Sequence, residues 1–200
     1  MADNTSATGG YLQAVTAPNE GRDLDSLLRS ILAGITGISG TLGLIRALWQ
    51  PTPPTIPEPT VNWIAFGIQN ITPEAGQSYL AQEEITEDQV TTEQARLSTH
   101  DSIEVLVQVY GPSCMLYALN IRDALQLGQN REQLYLAGMA FAAASNVTRV
   151  PELVGDRWYD RADITLTFRR HAERTYRVLS FVQAVGDINS ADFETEIPTT

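Results

Sequence analysis

The segment Trp49-Gln-Pro-Thr-Pro-Pro-Thr-Ile-Pro-Glu-Pro-Thr-Val-Asn-Trp-Ile-Ala-Phe-Gly-Ile68 constrains the fold more than any other. Five of the chain's ten prolines fall within residues 51–59, and an apolar run follows at once. Proline holds its own φ at about −65° and drives the preceding residue toward extended geometry. Residues 49–60 are therefore expected to form a stiff spacer, fixed at its two ends by Trp49 and Trp63. Such a spacer delivers one structural piece to a set place on another. Assembly proteins need that more often than enzymes do.

Periodicity assigns the neighbouring elements. Leu24, Leu27, Leu28, Ile31, Leu32 and Ile35 recur at helical spacing, with Asp23 or Asp25 as a candidate cap. The helix is expected to fade into Gly34, Gly37, Gly40 and Gly43, a connector or tight turn region without the basic residues of a phosphate loop. Val61–Ile68 reads as a strand buried on both faces. Residues 72–95 are acidic and lack any basic residue, which suggests a long exposed loop in which Tyr79 and Leu80 pair briefly. Residues 96–110 alternate, placing Ile103, Val105, Val107 and Val109 on one face and Leu106 and Tyr110 on the other.

Gly111-Pro-Ser113 then opens a helix through Met115, Leu116, Leu119, Ile121, Leu125 and Leu127. A second, short helix starts at Asn130, with Gln133 completing a capping box. A small-residue strand follows at Met139–Ser145. Ile164, Leu166 and Phe168 alternate toward the core, and a turn at His171–Arg174 is expected to send Tyr176–Val185 back as a hairpin partner. The expected architecture is α+β: a twisted, mostly antiparallel sheet of about five strands, two or three helices on one face, and extended N- and C-terminal arms. The expected organisation is a flexible arm at 1–22, one domain at 23–186, and an acidic tail at 187–200.

Chemistry is narrowly bounded. There is no lysine among the 13 basic residues, which excludes a Gly-Lys-Ser/Thr phosphate loop, a Schiff-base lysine and a Ser-Lys dyad. The net charge of −11 disfavours wrapping nucleic acid, and the one basic concentration, Arg169, Arg170, Arg174 and Arg177, has few aromatics between. Cys114 is the single cysteine, so no internal disulfide or cysteine-based metal cluster is expected. It sits near a helix start, where a thiol can be activated, but its apolar neighbours favour a core position. His100 and His171 stand apart in sequence, and no Gly-x-Ser-x-Gly occurs. The first residues carry no basic or apolar signal region, so a soluble, reduced, intracellular protein is expected. No catalytic residue, cofactor site or metal site is expected. Arg157, Trp158, Tyr159 and Arg161, interleaved with Asp156, Asp160 and Asp163, have interface composition. They join Trp49, Pro51, Pro53, Pro54 and Trp63 as the candidate interface residues.

Several of these residues together resemble one family. The motifs are, in unchanged order, Trp49-Gln-Pro-x-Pro-Pro, Val61-Asn-Trp-Ile-Ala-Phe-Gly, Tyr110-Gly-Pro, Arg122-Asp-x-Leu-Gln-x-x-Gln-Asn-Arg-Glu132, Leu136-Ala-Gly-Met139 and Pro151-Glu-Leu-Val-x-x-Arg-Trp158. Over residues 24–186 the chain resembles the neck or tail terminator proteins of long-tailed bacteriophages. It departs from the pattern at Leu48, where a second basic residue beside Arg46 is usual. The resemblance implies a structural virion protein that forms a homo-oligomeric ring, usually a hexamer. Such a ring stops tail-tube growth, meets the tail-tube protein on one face and meets the head-completion or connector protein on the other. Genomic DNA passes through its lumen without specific binding, and no membrane is involved. The alternatives are a tail-tube or head-completion protein or, in another class, a small hydrolase using Cys114 or a histidine.

Overall fold

The apolar period at Leu24–Ile35 is realised as a helix in the computed structural model. This structure describes residues 9–178 other than 17, 19, 41, 42, 53, 75–78, 88 and 89, with backbone alone at 79, 80, 82–87 and 90–93. The chain runs β1 (Ala14–Thr16), α1 (Arg22–Thr36), β2 (Ile45–Ala47), β3 (Trp63–Pro73), β4 (Tyr79–Glu87) and β5 (Val90–Tyr110). It continues through α2 (Cys114–Ala124), a 3-10 turn at Gln129–Arg131, α3 (Glu132–Leu136) and β6 (Met139–Ala144). The last elements are β7 (Thr148–Arg149), β8 (Glu152–Val154), β9 (Arg157–Tyr159) and β10 (Arg161–Arg177).

The sheet follows the order β1-β10-β5-β3-β2, with β4 added along β5 and both β6 and β7 along β10. Every pairing is antiparallel except that of β2 with β3. β10 and β5 pair without interruption from Arg161↔Tyr110 to Arg177↔Gln94. Side chains alternate across strands. One face of the sheet therefore collects Ile64, Phe66, Ile103, Val105, Val107, Val109, Ile164, Leu166 and Phe168. Leu24, Leu28, Ile31 and Leu32 of α1 and Cys114, Ala118 and Ile121 of α2 close that face into one core. Each fully buried aliphatic or aromatic side chain there contributes roughly 1.5–3 kcal/mol. The α+β architecture with helices on one face is thus the one the periodicities demanded. At the end of this core Arg170 and Asp101, register partners, are both buried and joined at 2.7 Å.

The parallel β2–β3 pair explains the proline spacer. Parallel neighbours cannot be joined by a tight turn and need a crossover of about a dozen residues or more. Residues 48–62 make that connection, and its described residues Trp49, over Gly67, and Thr55, bound by Arg46, lie on the face of the sheet away from the helices.

Two local expectations fail. Most of the described residues of 72–95 are strand and not loop. β3 continues to Pro73, and β4 pairs with β5 from Tyr79↔Ser98 to Glu87↔Val90, a long hairpin whose polar residues hid its alternation. The turn at His171–Arg174 does not exist, because β10 runs straight through it, with His171 opposite His100 and Arg174 opposite Leu97. Its polar side chains find partners instead: Arg174 pairs with Glu20, and Ser98 Oγ donates to Glu173 at 3.2 Å. The proposed return strand Tyr176–Val185 lies largely outside the described residues, and the acidic tail 187–200 wholly so.

The helix caps also differ. α1 starts after Gly21 with no side-chain cap, leaving Asp23 and Asp25 to act on the helix dipole from the first turn. It ends at Gly37, whose φ of 69° is the left-handed closing geometry that glycine adopts most easily. Asn130 makes no capping box; its amide donates to the Ala124 carbonyl at 2.9 Å, binding the turn to α2. The N-terminal segment supplies β1, which pairs with β10 at Thr175 and Tyr176.

Candidate functional site

The face opposite the helices is built on a different principle. Trp63 of β3 and Tyr110 of β5 are register partners, and their rings stack at 3.9 Å with an interplanar angle of 2°. Arg46 of β2 lies 4.1 Å over the Trp63 ring, and Arg161 of β10 stands 5.9 Å from the Tyr110 ring. Two cations thus flank two stacked aromatics, an arrangement in which ring quadrupoles stabilise both charges. Burial pulls the Arg46 pKa down from its ordinary value. Among the described residues its Nη2 and the Trp63 Nε1 have no hydrogen-bond partner.

Arg161 ties this stack to the β8–β9 hairpin. It donates to Glu152 at 2.6 Å and to Asp163 at 3.0 Å. Burial alone would lower its pKa, but those two carboxylates more than reverse the effect and hold it above the ordinary value. The Tyr110 hydroxyl lies 3.2 Å from the same Glu152 carboxylate and 3.3 Å from Gln108 Oε1. Burial first, and then the Glu152 charge, push its pKa up to about 12. Tyr159 and Val154 fill the space beneath the hairpin. Leu153 and Trp158, directly opposite each other, point outward and are 53% and 66% exposed.

The spacer is anchored from below. Arg46 Nη1 donates to the Thr55 carbonyl at 3.0 Å, and Leu48 N–H donates to Phe66 O at 2.7 Å. Trp49 then lies across Gly67: a Cβ there would stand 2.5 Å from the indole. Only a glycine leaves room for that ring. Trp49 still exposes 66% of its surface. Arg157 of the hairpin forms an ion pair with Glu58 of the spacer, so the two segments make one surface.

The candidate interface residues therefore divide. Trp49, Pro51, Pro54, Arg157 and Trp158 are exposed, while Trp63 and Tyr159 are buried beneath them. Arg161 is half-buried and anchors the hairpin, and Pro53 lies outside the described residues. Sequence reasoning missed Arg46 and Glu152. Arg46 carried a usable signal, a lone charge two residues before the apolar Leu48-Trp49; Glu152 stood in the Pro151-Glu-Leu-Val motif, with nothing to mark it as the partner of Arg161 and Tyr110. It also missed a second exposed apolar area. Leu116 and Leu127 face solvent together with Tyr135 and Leu136, while Cys114, Ala118 and Ile121 of α2, and Leu125 just after it, turn inward.

The chemical candidates are placed as follows. Cys114 is buried, and desolvation pushes its thiol pKa up, the opposite of nucleophile activation. His100 and His171 stack at 5.0 Å on adjacent strands, with His171 Nε2 3.2 Å from Ser98 Oγ. Within the arginine cluster, Arg169 pairs with Glu74, Arg170 with Asp101 and Arg174 with Glu20. Among the described residues no group of three or more His, Cys, Asp or Glu is placed to hold a metal. None of the described helices is long and apolar enough to cross a membrane.

Two tryptophans and a leucine thus stand exposed on the face that carries the buried cation–aromatic stack. Residues 22–199 match a family described as phage neck terminator protein. The chain belongs to that family, and so is a structural protein of the bacteriophage neck. A comparison with curated proteins finds none that matches.

Proposed function

We propose that this protein forms a closed ring, six copies by resemblance to the family, that caps the tail tube and joins it to the head-completion or connector protein. The ring assembles in the host cytoplasm, ends in the virion, and performs no catalysis. The observation that carries the reading is the spacer–hairpin unit. Glu58–Arg157 and Arg161–Glu152 fix it to the sheet while Trp49, Leu153 and Trp158 stay exposed. A monomer gains nothing from fixing large apolar side chains in water; an oligomer gains an anchor. The net charge of −11 suits a lumen that lets DNA slide, since phosphate contacts from Lys or Arg would hold the genome back.

The test is electron microscopy and sedimentation of the purified protein, alone and with tail tubes. Discrete rings, or ring caps on tube ends, are expected. A protein that stays monomeric and binds neither tubes nor neck overturns the proposal. Tubes polymerised from this chain alone would favour the tail-tube reading instead.

A further inference from the structure

We infer that the β8–β9 hairpin of one copy docks into the groove between α3 and β6 of the next copy, which makes this pair of surfaces the repeating contact of the ring. The inference rests on the ring reading and supplies its subunit contact. The groove has a volume of about 590 Å³ and is lined by Arg131, Glu132, Tyr135, Met139 and Phe141. That volume suits a drug-sized apolar group, and so an indole with a leucine beside it. Leu153 and Trp158 form such a pair, opposite each other on the outer face of the hairpin.

Charge also matches. Asp156, in the β8–β9 turn, is exposed and makes no ion pair among the described residues. The guanidinium of Arg131, which lines the groove, donates only to the Gln126 carbonyl at 3.1 Å among the described residues. An aspartate beside the knob and an arginine beside the hole would meet when the knob enters.

The contact cannot form within one chain. The hairpin precedes Arg161, whereas the groove lies beside Met139, the register partner of Arg170. Nine residues of strand separate the two, roughly 30 Å at about 3.3 Å per residue. Each copy thus carries a knob and a distant hole. That is the heterologous arrangement which closes into a ring when its rotation closes.

Sedimentation velocity on full-length variants tests this, with circular dichroism to confirm folding. Trp158→Arg and Tyr135→Arg alter exposed side chains and should each weaken self-association by about thirtyfold or more, as loss of a central anchor does. Mixing the two variants should give a one-to-one dimer and nothing larger, since only one intact knob and one intact hole remain. Asp156→Arg and Arg131→Glu should each impair assembly, and the double variant should regain it. Rings formed normally by Trp158→Arg and Tyr135→Arg overturn this contact while leaving the ring reading intact. A wild-type protein that never assembles, even on tail tubes, overturns both.

Discussion

The two faces of one sheet follow opposite rules. On the helix side, Ile64, Phe66, Val105, Val107, Ile164 and Leu166 meet α1 and α2 in a buried apolar core. On the other side, Arg46, Trp63, Tyr110, Arg161 and Glu152 are interleaved, and the cover consists of a proline crossover and a two-stranded hairpin. The first face is satisfied by non-directional burial, which tolerates small shifts. The second depends on stacking distances and hydrogen bonds, which fix position. The helix face makes the molecule fold, and the polar–aromatic face sets where Trp49 and Trp158 stand.

That contrast predicts a gradient of effects. Phe66→Ala, on the helix face, should cost about 3–5 kcal/mol and abolish assembly through loss of the fold, measured by denaturant unfolding. A loss under about 1 kcal/mol would mean that the two faces share the core evenly. Gly67→Val, on the opposite face of the same strand, should cost about 1–3 kcal/mol and push Trp49 off the sheet. Tryptophan emission should shift to the red; an unchanged spectrum would show that the indole does not rest there.

Tyr110→Phe should cost about 1 kcal/mol at neutral pH through its lost hydrogen bonds. Its diagnostic is alkaline. A phenol raised to about 12 stabilises the fold in its neutral form, fully below an ordinary pKa of about 10. That contribution fades as pH climbs from about 10 to about 12. Wild type should therefore lose stability relative to the variant across that window, and parallel curves would refute the burial argument. Glu58→Gln should have the smallest effect, below about 1 kcal/mol, because both partners of its ion pair are exposed. It should still loosen the spacer from the hairpin, seen as faster amide exchange at Thr55, Ile56 and Glu58.

Much of the helix face was legible in the sequence, because period-two and period-3.6 patterns report burial directly. Ile103 to Val109, Ile164 to Phe168 and Leu24 to Leu32 all fall where that logic puts them. The opposite face was legible only in pieces. Alternation placed Tyr110 away from the aliphatic face, but its partnership with Trp63 follows from strand register, which single-strand patterns do not encode. The spacer was recognised as stiff; that it is a crossover depends on β2 and β3 being parallel, a long-range fact. His171–Arg174 misled because polar residues suggest a turn, whereas here Ser98 across the ladder and Glu20 before α1 satisfy them.

The Arg170–Asp101 pair has a consequence for how the chain avoids mispairing. The β5 and β10 aliphatics repeat every second residue, so a slip of two positions would still direct Ile, Val and Leu to the helices. Apolar complementarity alone barely distinguishes such a slip from the native alignment. The slip would, however, bury the guanidinium away from its carboxylate, a penalty of about 3–5 kcal/mol. One ion pair at the end of the ladder thus acts as a key that fits a single alignment. Replacing both residues by leucine should leave a stable protein whose refolding splits into more than one phase, whereas single-phase refolding would assign the alignment to the loops.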